Sequence, residues 1–243
     1  MNSFLSYLIF FVLTILVEIL GTLGGFGSSI FFVSTAQLFY DFQTVLALTG
    51  LLHVFSNSSK LFLFWNTIDW KLVLWLGVSS VILAIVGAYL TTIISFQYAR
   101  LVLGIFLIVF SIILFIKPAL KITPTLSNSI LSGGLAGFLA GFVGTGGAIR
   151  GVMLASFSLK KNMFVGTSAA IDFGVDLTRS IIYLDSNYLK KGMLWYIPLL
   201  LFASFIGSYI GKQLLEKISQ DAFRKILLSL ILLMGILLIV IPD

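Results

Sequence analysis

The sequence predicts an all-α polytopic membrane protein, and three observations lead to this fold class. Charged residues make up 10% of the chain, whereas soluble proteins carry roughly 25%. The mean hydropathy is +1.14. Several stretches, such as the uncharged residues 72–94, reach the length of about 20 apolar residues that a helix needs to cross a bilayer. The first apolar stretch carries Glu18 and lacks a basic leader, so it is expected to be a retained span.

The chain divides into two repeats, residues 1–121 and 122–243, that together form one transmembrane domain. A shift of 120 residues places glycines of one half on glycines of the other: Gly21 on Gly141, Gly24 on Gly144, Gly27 on Gly147. A shift of 119 does the same for polar residues: His53 on Asp172, Asn57 on Asp176, Lys60 on Arg179. The order and nearly constant offset of these matches favour an internal duplication.

Each half is expected to contain about five helical segments. They are predicted at residues 4–21, 28–40, 44–65, 71–94 and 99–117, and again at 126–142, 148–159, 162–185, 190–212 and 222–241. The second segment of each half is short, so it either completes a tilted crossing or re-enters the membrane as a hairpin with the first.

The distribution of basic residues predicts the orientation and makes the two repeats inverted. Loops on one side contain nine basic residues: Lys71, Lys117, Lys121, Lys160, Lys161, Lys212, Lys217, Arg224 and Lys225. The other side contains three: Arg100, Lys190 and Lys191. Since basic loops stay in the cytoplasm, both termini are expected outside the inner membrane. Inverted repeats around a central site are typical of secondary transporters, although a duplication can also simply build a stable bundle.

Two glycine-rich stretches, "LGGFGSSI" (residues 23–30) and "VGTGGAIRG" (143–151), interrupt the apolar segments at matching positions. Glycine permits unusual backbone dihedrals and close approach of a ligand, and the N-terminus of the helix that follows favours an anion. The candidate substrate-binding residues are Gly24, Gly25, Gly27, Ser28, Gly144, Thr145, Gly146 and Gly147. Close helix packing is the alternative, and we assign it to Gly133 and Gly137.

The third segment of each half carries a polar face. The motifs "HVFSNSSK" (53–60) and "DFGVDLTR" (172–179) place their polar residues at i, i+4 and i+7. The cations Lys60 and Arg179 are candidates for binding an anion, and a polar or proton pathway would use His53, Asn57, Asp172 and Asp176. Two alternatives remain open. Asp176 and Arg179 can form a structural ion pair, and Lys60 and Arg179 can extend to the membrane surface.

Arg150 and Glu18 are two further charges near the glycine clusters. Arg150 lies in the first turn of the helix after the second cluster, where the helix dipole opposes a cation. An anionic substrate, Asp172 or Asp176 can offset its charge. Glu18 precedes the first cluster, and its counterpart in the second half is Phe138. It either pairs with a basic residue or carries a proton, a role for which Asp172 competes.

The glycine motifs "GTLGGFGSSIF" and "GFVGTGGAIRGVML", together with the duplication and a length of 243 residues, resemble the sulfite exporter TauE/SafE family. The resemblance covers essentially the whole chain. It implies ion-coupled secondary transport of a small sulfur-containing anion such as sulfite, thiosulfate or an organosulfonate. It also implies that both glycine clusters lie at the substrate site. The chain departs from the family pattern in one respect, because no proline follows either cluster.

These observations together predict a transporter that works by alternating access and uses neither cofactor nor metal. The chain has no cysteine and one histidine, which argues against thiol chemistry and multi-ligand metal sites. The expected partners are a small anion, the lipid bilayer and a coupling proton or ion, and no nucleic acid. A passive anion channel is the main alternative. An enzyme is less favoured, because His53, its one candidate base, has no acidic residue nearby in sequence.

Overall fold

A computed structural model describes residues 3–25, 27–36, 39–90, 99–117, 123–143, 146–189 and 191–240. Over these ranges the chain forms ten α-helices, two 3-10 turns and no β-strand. The helices are α1 (Ser3–Gly24), α2 (Ser29–Ala36), α3 (Phe42–Phe64), α4 (Trp70–Leu90), α5 (Ala99–Ile116), α6 (Leu126–Val143), α7 (Gly146–Ser156), α8 (Lys161–Asp185), α9 (Tyr196–Lys217) and α10 (Gln220–Val240). The prediction of an all-α fold is confirmed, and each predicted segment overlaps one of the ten α-helices.

The start of α9 differs most from the sequence prediction, and the other helix starts lie within two residues of theirs. Helix α9 begins at Tyr196 rather than at residue 190. Proline lacks an N–H and clashes with the preceding turn, so it is tolerated only near the start of a helix, and a start at Tyr196 places Pro198 in the first turn. Helix α7 begins at Gly146 rather than residue 148. The predicted end of the fourth segment, at residue 94, lies outside the described residues.

Several helices are suited to a membrane. Among the described residues, three are long and apolar enough to cross one, over Tyr7–Gly24 in α1, Trp70–Leu90 in α4 and Tyr196–Lys217 in α9. Shorter apolar helical stretches cover Gly104–Ile116 and Leu126–Phe142. Large apolar side chains are exposed on the outside of the bundle, with Leu74 64% and Phe202 61% exposed. A bilayer accommodates such a surface, and water does not.

Glycines bring α6 against α4 and α9 against α1. Added Cβ atoms on Gly133, Gly137 and Gly141 would lie 2.0–2.3 Å from the backbone oxygens of Leu76, Ser80 and Ala84, respectively. Gly207 and Gly211 of α9 meet Glu18 and Thr22 of α1 in a similar way. In each pair the residue numbers of the contacts increase together along both helices, so the two helices are parallel. The close-packing role assigned to Gly133 and Gly137 is confirmed.

Helices α3 and α8 pack against each other and run antiparallel. Gly50 contacts Ser180 near the start of α3, and Phe64 at its end contacts Gly166 near the start of α8. Antiparallel packing brings the polar face of each helix onto the other, because both faces lie in the middle of their helices. Charged and amide side chains from the two halves of the chain are therefore buried together.

Candidate functional site

The first glycine cluster interrupts the helix, as the sequence predicts. Helix α1 ends at Gly24 and α2 begins at Ser29. Between them Gly25 has a φ of +71° and Gly27 a φ of +101°. Residues other than glycine rarely adopt these left-handed angles. The interruption places Ser28 and Ser29, both buried, at the N-terminal end of α2.

The backbone at Gly25 has no room for a side chain. A Cβ atom there would lie 2.7 Å from a ring carbon of Phe164. We expect Gly25→Ala to lower the free energy of unfolding by at least about 1–2 kcal/mol, the cost of a left-handed residue. Thermal unfolding of the purified protein measures the change. Gly192→Ala, which has no atom within 4 Å of the added carbon, is the matched control. Equal melting temperatures for the two variants would contradict the prediction.

Glu18 is completely buried and receives hydrogen bonds from two serine hydroxyls. Its Oε1 accepts from Ser28 at the interruption, and its Oε2 accepts from Ser56 on α3. Lys60 Nζ lies 3.4 Å from the same Oε2 and donates to Ser56 Oγ at 2.7 Å. The structure therefore brings Glu18, the glycine interruption and the polar face of α3 together. The sequence alone does not show that these three features are in contact.

His53 connects this group to the second half of the chain. Its Nε2 lies 3.2 Å from Ser28 Oγ, and its Nδ1 lies 3.4 Å from Asp176 Oδ2 on α8. Ser29 Oγ lies 3.5 Å from both ring nitrogens. Asp176 is the acidic partner that cannot be found near His53 in the sequence. The imidazole thus bridges the interruption and α8.

Asp176 is held by three groups. In addition to His53, Asn57 Nδ2 donates to its Oδ2 at 2.8 Å, and Arg179 Nε lies 2.7 Å from its Oδ1. The predicted ion pair between Asp176 and Arg179 is confirmed. The alternative in which Lys60 and Arg179 extend to the membrane surface is wrong, because both side chains are buried, and each is 3% exposed.

Arg150 forms a third buried ion pair, between α7 and α8. Its guanidinium contacts the carboxylate of Asp172, and its Nε donates to Ser168 Oγ at 3.2 Å. Asp172 is thus one of the two acids expected to offset this charge. Gly146 and Gly147 lie in the first turn of α7. The prediction that Arg150 lies in this first turn is wrong, because the helix starts at Gly146 and Arg150 is its fifth residue. Gly144 and Thr145, predicted at the same site, lie outside the described residues.

The charges of this buried network balance. Glu18 faces Lys60, Asp172 faces Arg150, and Asp176 faces Arg179. Each of the three cations predicted to attract an anion therefore already has a carboxylate beside it. Burial of paired charges is affordable in an apolar interior, whereas burial of a lone charge is not.

Two serines complete the network: Ser56, on the polar face that the sequence identifies, and Ser168, which the sequence analysis does not single out. Ser56 links Lys60 to Glu18, and Ser168 binds Arg150. The signal for Ser168 is its position four residues before Asp172, on the same face of α8. Among the described residues, no group of three or more His, Asp or Glu side chains is arranged to hold a metal ion.

A cavity of 650 Å³ opens beside the start of α8. Its lining includes Lys160, Lys161, Thr67 and Gln220. Gln220 ties two loops together here, because its Oε1 accepts from the Lys161 N–H at 2.9 Å and its amide donates to the Leu159 carbonyl at 3.0 Å. The exposed Lys160 gives the opening a positive charge, which attracts anions.

Comparison with known proteins gives one match. The family model for "Sulfite exporter TauE/SafE" matches residues 10–238, which is nearly the whole chain. Neither the comparison with curated proteins nor that with solved structures gives a match.

Proposed function

We propose a function from one premise: this chain belongs to the sulfite exporter TauE/SafE family. The family consists of membrane transporters of sulfite and related sulfur anions rather than enzymes. We propose that this protein is a secondary transporter that moves a small sulfur-containing anion by alternating access. Sulfite, thiosulfate and organosulfonates are the candidate substrates.

The single observation that carries this proposal is the buried polar network at the first glycine interruption. Glu18, Ser28 and His53 bring together the broken helix, α3 and, through Asp176, α8. Ionisable groups inside a membrane protein are costly and mark substrate or proton pathways. Broken helices at such a site present free backbone N–H groups to an anion. In our proposal the glycine clusters provide these N–H groups.

The two halves are, in our proposal, inverted repeats that span residues 1–121 and 122–243. The packing supports this interpretation, because Gly207 contacts Glu18 while Gly87 contacts Phe138. A shift of 120 residues places Gly87 on Gly207 and Glu18 on Phe138, so the two contacts join equivalent positions of the two repeats. Asn57 and Asp176, equivalent positions in the repeats, donate and accept one hydrogen bond. Such a contact is expected at a two-fold axis. The antiparallel arrangement of α3 and α8 is the one that inverted repeats require.

We place the protein in the inner membrane with both termini outside, on the basis of its basic loops. In this orientation the cavity beside Lys160 and Lys161 opens to the cytoplasm. It would provide the cytoplasmic approach for an anion. A labelling reagent that cannot cross membranes is expected to modify a single cysteine at position 160 only after the cells are opened. Labelling at this position in intact cells would contradict the proposed orientation.

Transport of defined anions by the reconstituted protein tests the function. Proteoliposomes that contain the purified chain are expected to exchange and accumulate sulfite, thiosulfate or a sulfonate. Absence of movement for all three would refute the substrate proposal. Flux that no ion gradient can drive uphill would instead indicate a passive channel.

Lys60→Gln tests whether the network belongs to the transport site. We expect it to reduce anion exchange by at least about tenfold, since loss of one ionic contact costs about 1.4 kcal/mol or more. Lys217→Gln removes the same charge from an exposed position at the end of α9 and serves as the control. Equal exchange by the two variants, both recovered folded, would remove Lys60 from the site.

A further inference from the structure

We propose that Glu18 is the proton acceptor that couples transport, and that its protonation releases Lys60 to pair with a singly charged oxyanion. Proton and anion would then cross the membrane together. This inference rests on the transport function proposed above, and it adds the coupling ion, the coupling residue and the preferred charge of the substrate.

Lys60 is the cation of the network that can change partners most easily. Its Nζ lies 3.4 Å from Glu18 Oε2, which is longer than the 2.7–2.9 Å typical of a charge-assisted hydrogen bond. Arg179 Nε lies 2.7 Å from Asp176, and the Arg150 guanidinium is in direct contact with the Asp172 carboxylate. An arriving anion therefore displaces the least when it takes Lys60.

Glu18 can gain a proton without losing its hydrogen bonds, whereas Asp176 cannot. The Ser28 hydroxyl contacts its Oε1, and the Ser56 hydroxyl contacts its Oε2. A hydroxyl either donates or accepts, so one of them can turn to accept the new O–H. Asp176 faces Asn57 and Arg179, whose contacting groups only donate. A proton on Asp176 would oppose these donors.

His53 and Ser28 form a short route for the proton to Glu18. The proton on His53 Nε2 passes to Ser28 Oγ as the hydroxyl proton of Ser28 passes to Glu18 Oε1. Protonated His53 becomes neutral, the Glu18 carboxylate becomes a carboxylic acid, and Ser28 remains a hydroxyl. Asp176 accepts the Nδ1–H of His53 and keeps the ring oriented. The distances that support this route are 3.2 Å from Nε2 to Oγ and 3.4 Å from Nδ1 to Oδ2.

In the described part of the chain, α3 contributes the charged side chains nearest to Glu18. Helix α2 contributes only hydroxyls there, and α3 contributes Lys60 and His53, with Asp176 of α8 beyond the imidazole. Helix α9 meets Glu18 at Gly207. Its Lys212 is directed elsewhere, to the carbonyl of Leu63 at 2.9 Å. Helix α10 carries its charges near its start, at Asp221, Arg224 and Lys225, and Arg224 donates to the carbonyl of Leu114.

Charge balance sets the class of substrate. The empty pair of Glu18 carboxylate and Lys60 ammonium is neutral, and so is protonated Glu18 with Lys60 and an anion of one charge. A sulfonate or bisulfite therefore crosses without a net charge in the apolar region. A doubly charged anion would leave one negative charge unpaired in the apolar region, which is unfavourable. Net flow follows the combined gradients, and a tenfold excess of anion balances about one pH unit.

The wild-type protein in proteoliposomes provides the first test. Labelled methanesulfonate, which carries one charge, is the probe, and an internal dye reports proton movement. We expect one pH unit, acidic outside, to drive about tenfold accumulation, accompanied by proton entry and unaffected by the membrane potential. Net anion uptake without proton entry, or accumulation that follows the potential, would overturn the coupling and leave the transport function standing. Absence of any anion exchange would overturn both.

Glu18→Gln provides the second test, because glutamine resembles the protonated acid. We expect pH-driven accumulation to fall from about tenfold to none, and the exchange that remains to be independent of pH. Glu216→Gln is the matched control, since the Glu216 side chain is 53% exposed at the end of α9, and it should behave as wild type. Accumulation by a folded Glu18→Gln variant would overturn the assignment. If this variant does not fold, the proton measurement on wild type decides.

Discussion

Arg150→Gln is expected to lower the free energy of unfolding by about 3–5 kcal/mol, because it leaves the Asp172 carboxylate buried without its cation. Arg150 is 1% exposed, and the Asp172 side chain is 12% exposed. Water therefore cannot replace the lost guanidinium. The pair also joins α7 to α8, so its loss should loosen the short helix that follows the second glycine cluster.

The double variant Arg150→Gln/Asp172→Asn tests the origin of this effect. Removal of both charges removes the unpaired carboxylate, so we expect most of the lost stability to return. Thermal unfolding in detergent compares the two variants with wild type. Glu216→Gln, which alters an exposed ion pair, should change stability by no more than about 1 kcal/mol. A single variant as stable as wild type would show that the pair does not support the fold.

The double variant also separates a structural role for Arg150 from a role in binding. If it folds and binds the anion as wild type does, Arg150 only positions α7 against Asp172. If it folds and fails to bind, the guanidinium contacts the substrate. Titration with a sulfonate, followed by the increase in melting temperature, measures this affinity.

Gly137→Ala is expected to be the most disruptive single-methyl substitution at the α4–α6 contact. The added carbon would lie 2.0 Å from the backbone oxygen of Ser80. A flexible side chain could move away, but a helix backbone cannot do so alone, so the two helices must separate. Overpacking of this kind costs about 1–3 kcal/mol or more. Thermal unfolding and the yield of folded protein report the loss.

Gly77→Ala is the matched control for this contact. It lies on α4, and its added carbon would have its nearest neighbours at 3.8 and 3.9 Å, on Ile171 and Val73. We expect no loss of stability, because the carbon fits and alanine favours a helix by about 1 kcal/mol over glycine. A similar loss in both variants would mean that helix packing at Gly137 is not the cause.

The helices could be predicted from the sequence because each apolar run ends at charges, proline or glycine. The interruption at Gly25 and Gly27 could also be predicted, because clustered glycines weaken a helix and permit left-handed backbone angles. The start of α9 was predicted too early. Its boundary depends on Pro198, a single residue within an otherwise continuous apolar stretch.

The partners within the site could not be predicted, because they belong to different helices. The i, i+4, i+7 spacing identified the polar faces of α3 and α8, but spacing on one helix does not determine which helix it meets. His53 finds Asp176 in the other half. Glu18 was predicted to pair with a base or carry a proton, and only packing brings Lys60 beside it. Whether the glycine clusters and these charges bind substrate stays a prediction.

The parallel packing of α1 against α9 has a consequence for how the chain is made. Glu18 meets Gly207 through close backbone contact, yet Gly207 is synthesised roughly 7–30 seconds after Lys60 at 5–20 residues per second. Ser28, Ser56 and Lys60 are all available by that earlier point. The growing chain can therefore satisfy its first buried carboxylate with local partners. Asp172 follows its partner Arg150 in the sequence, and Asp176 precedes Arg179 by only three residues, so these two acids also gain a cation soon after they are synthesised.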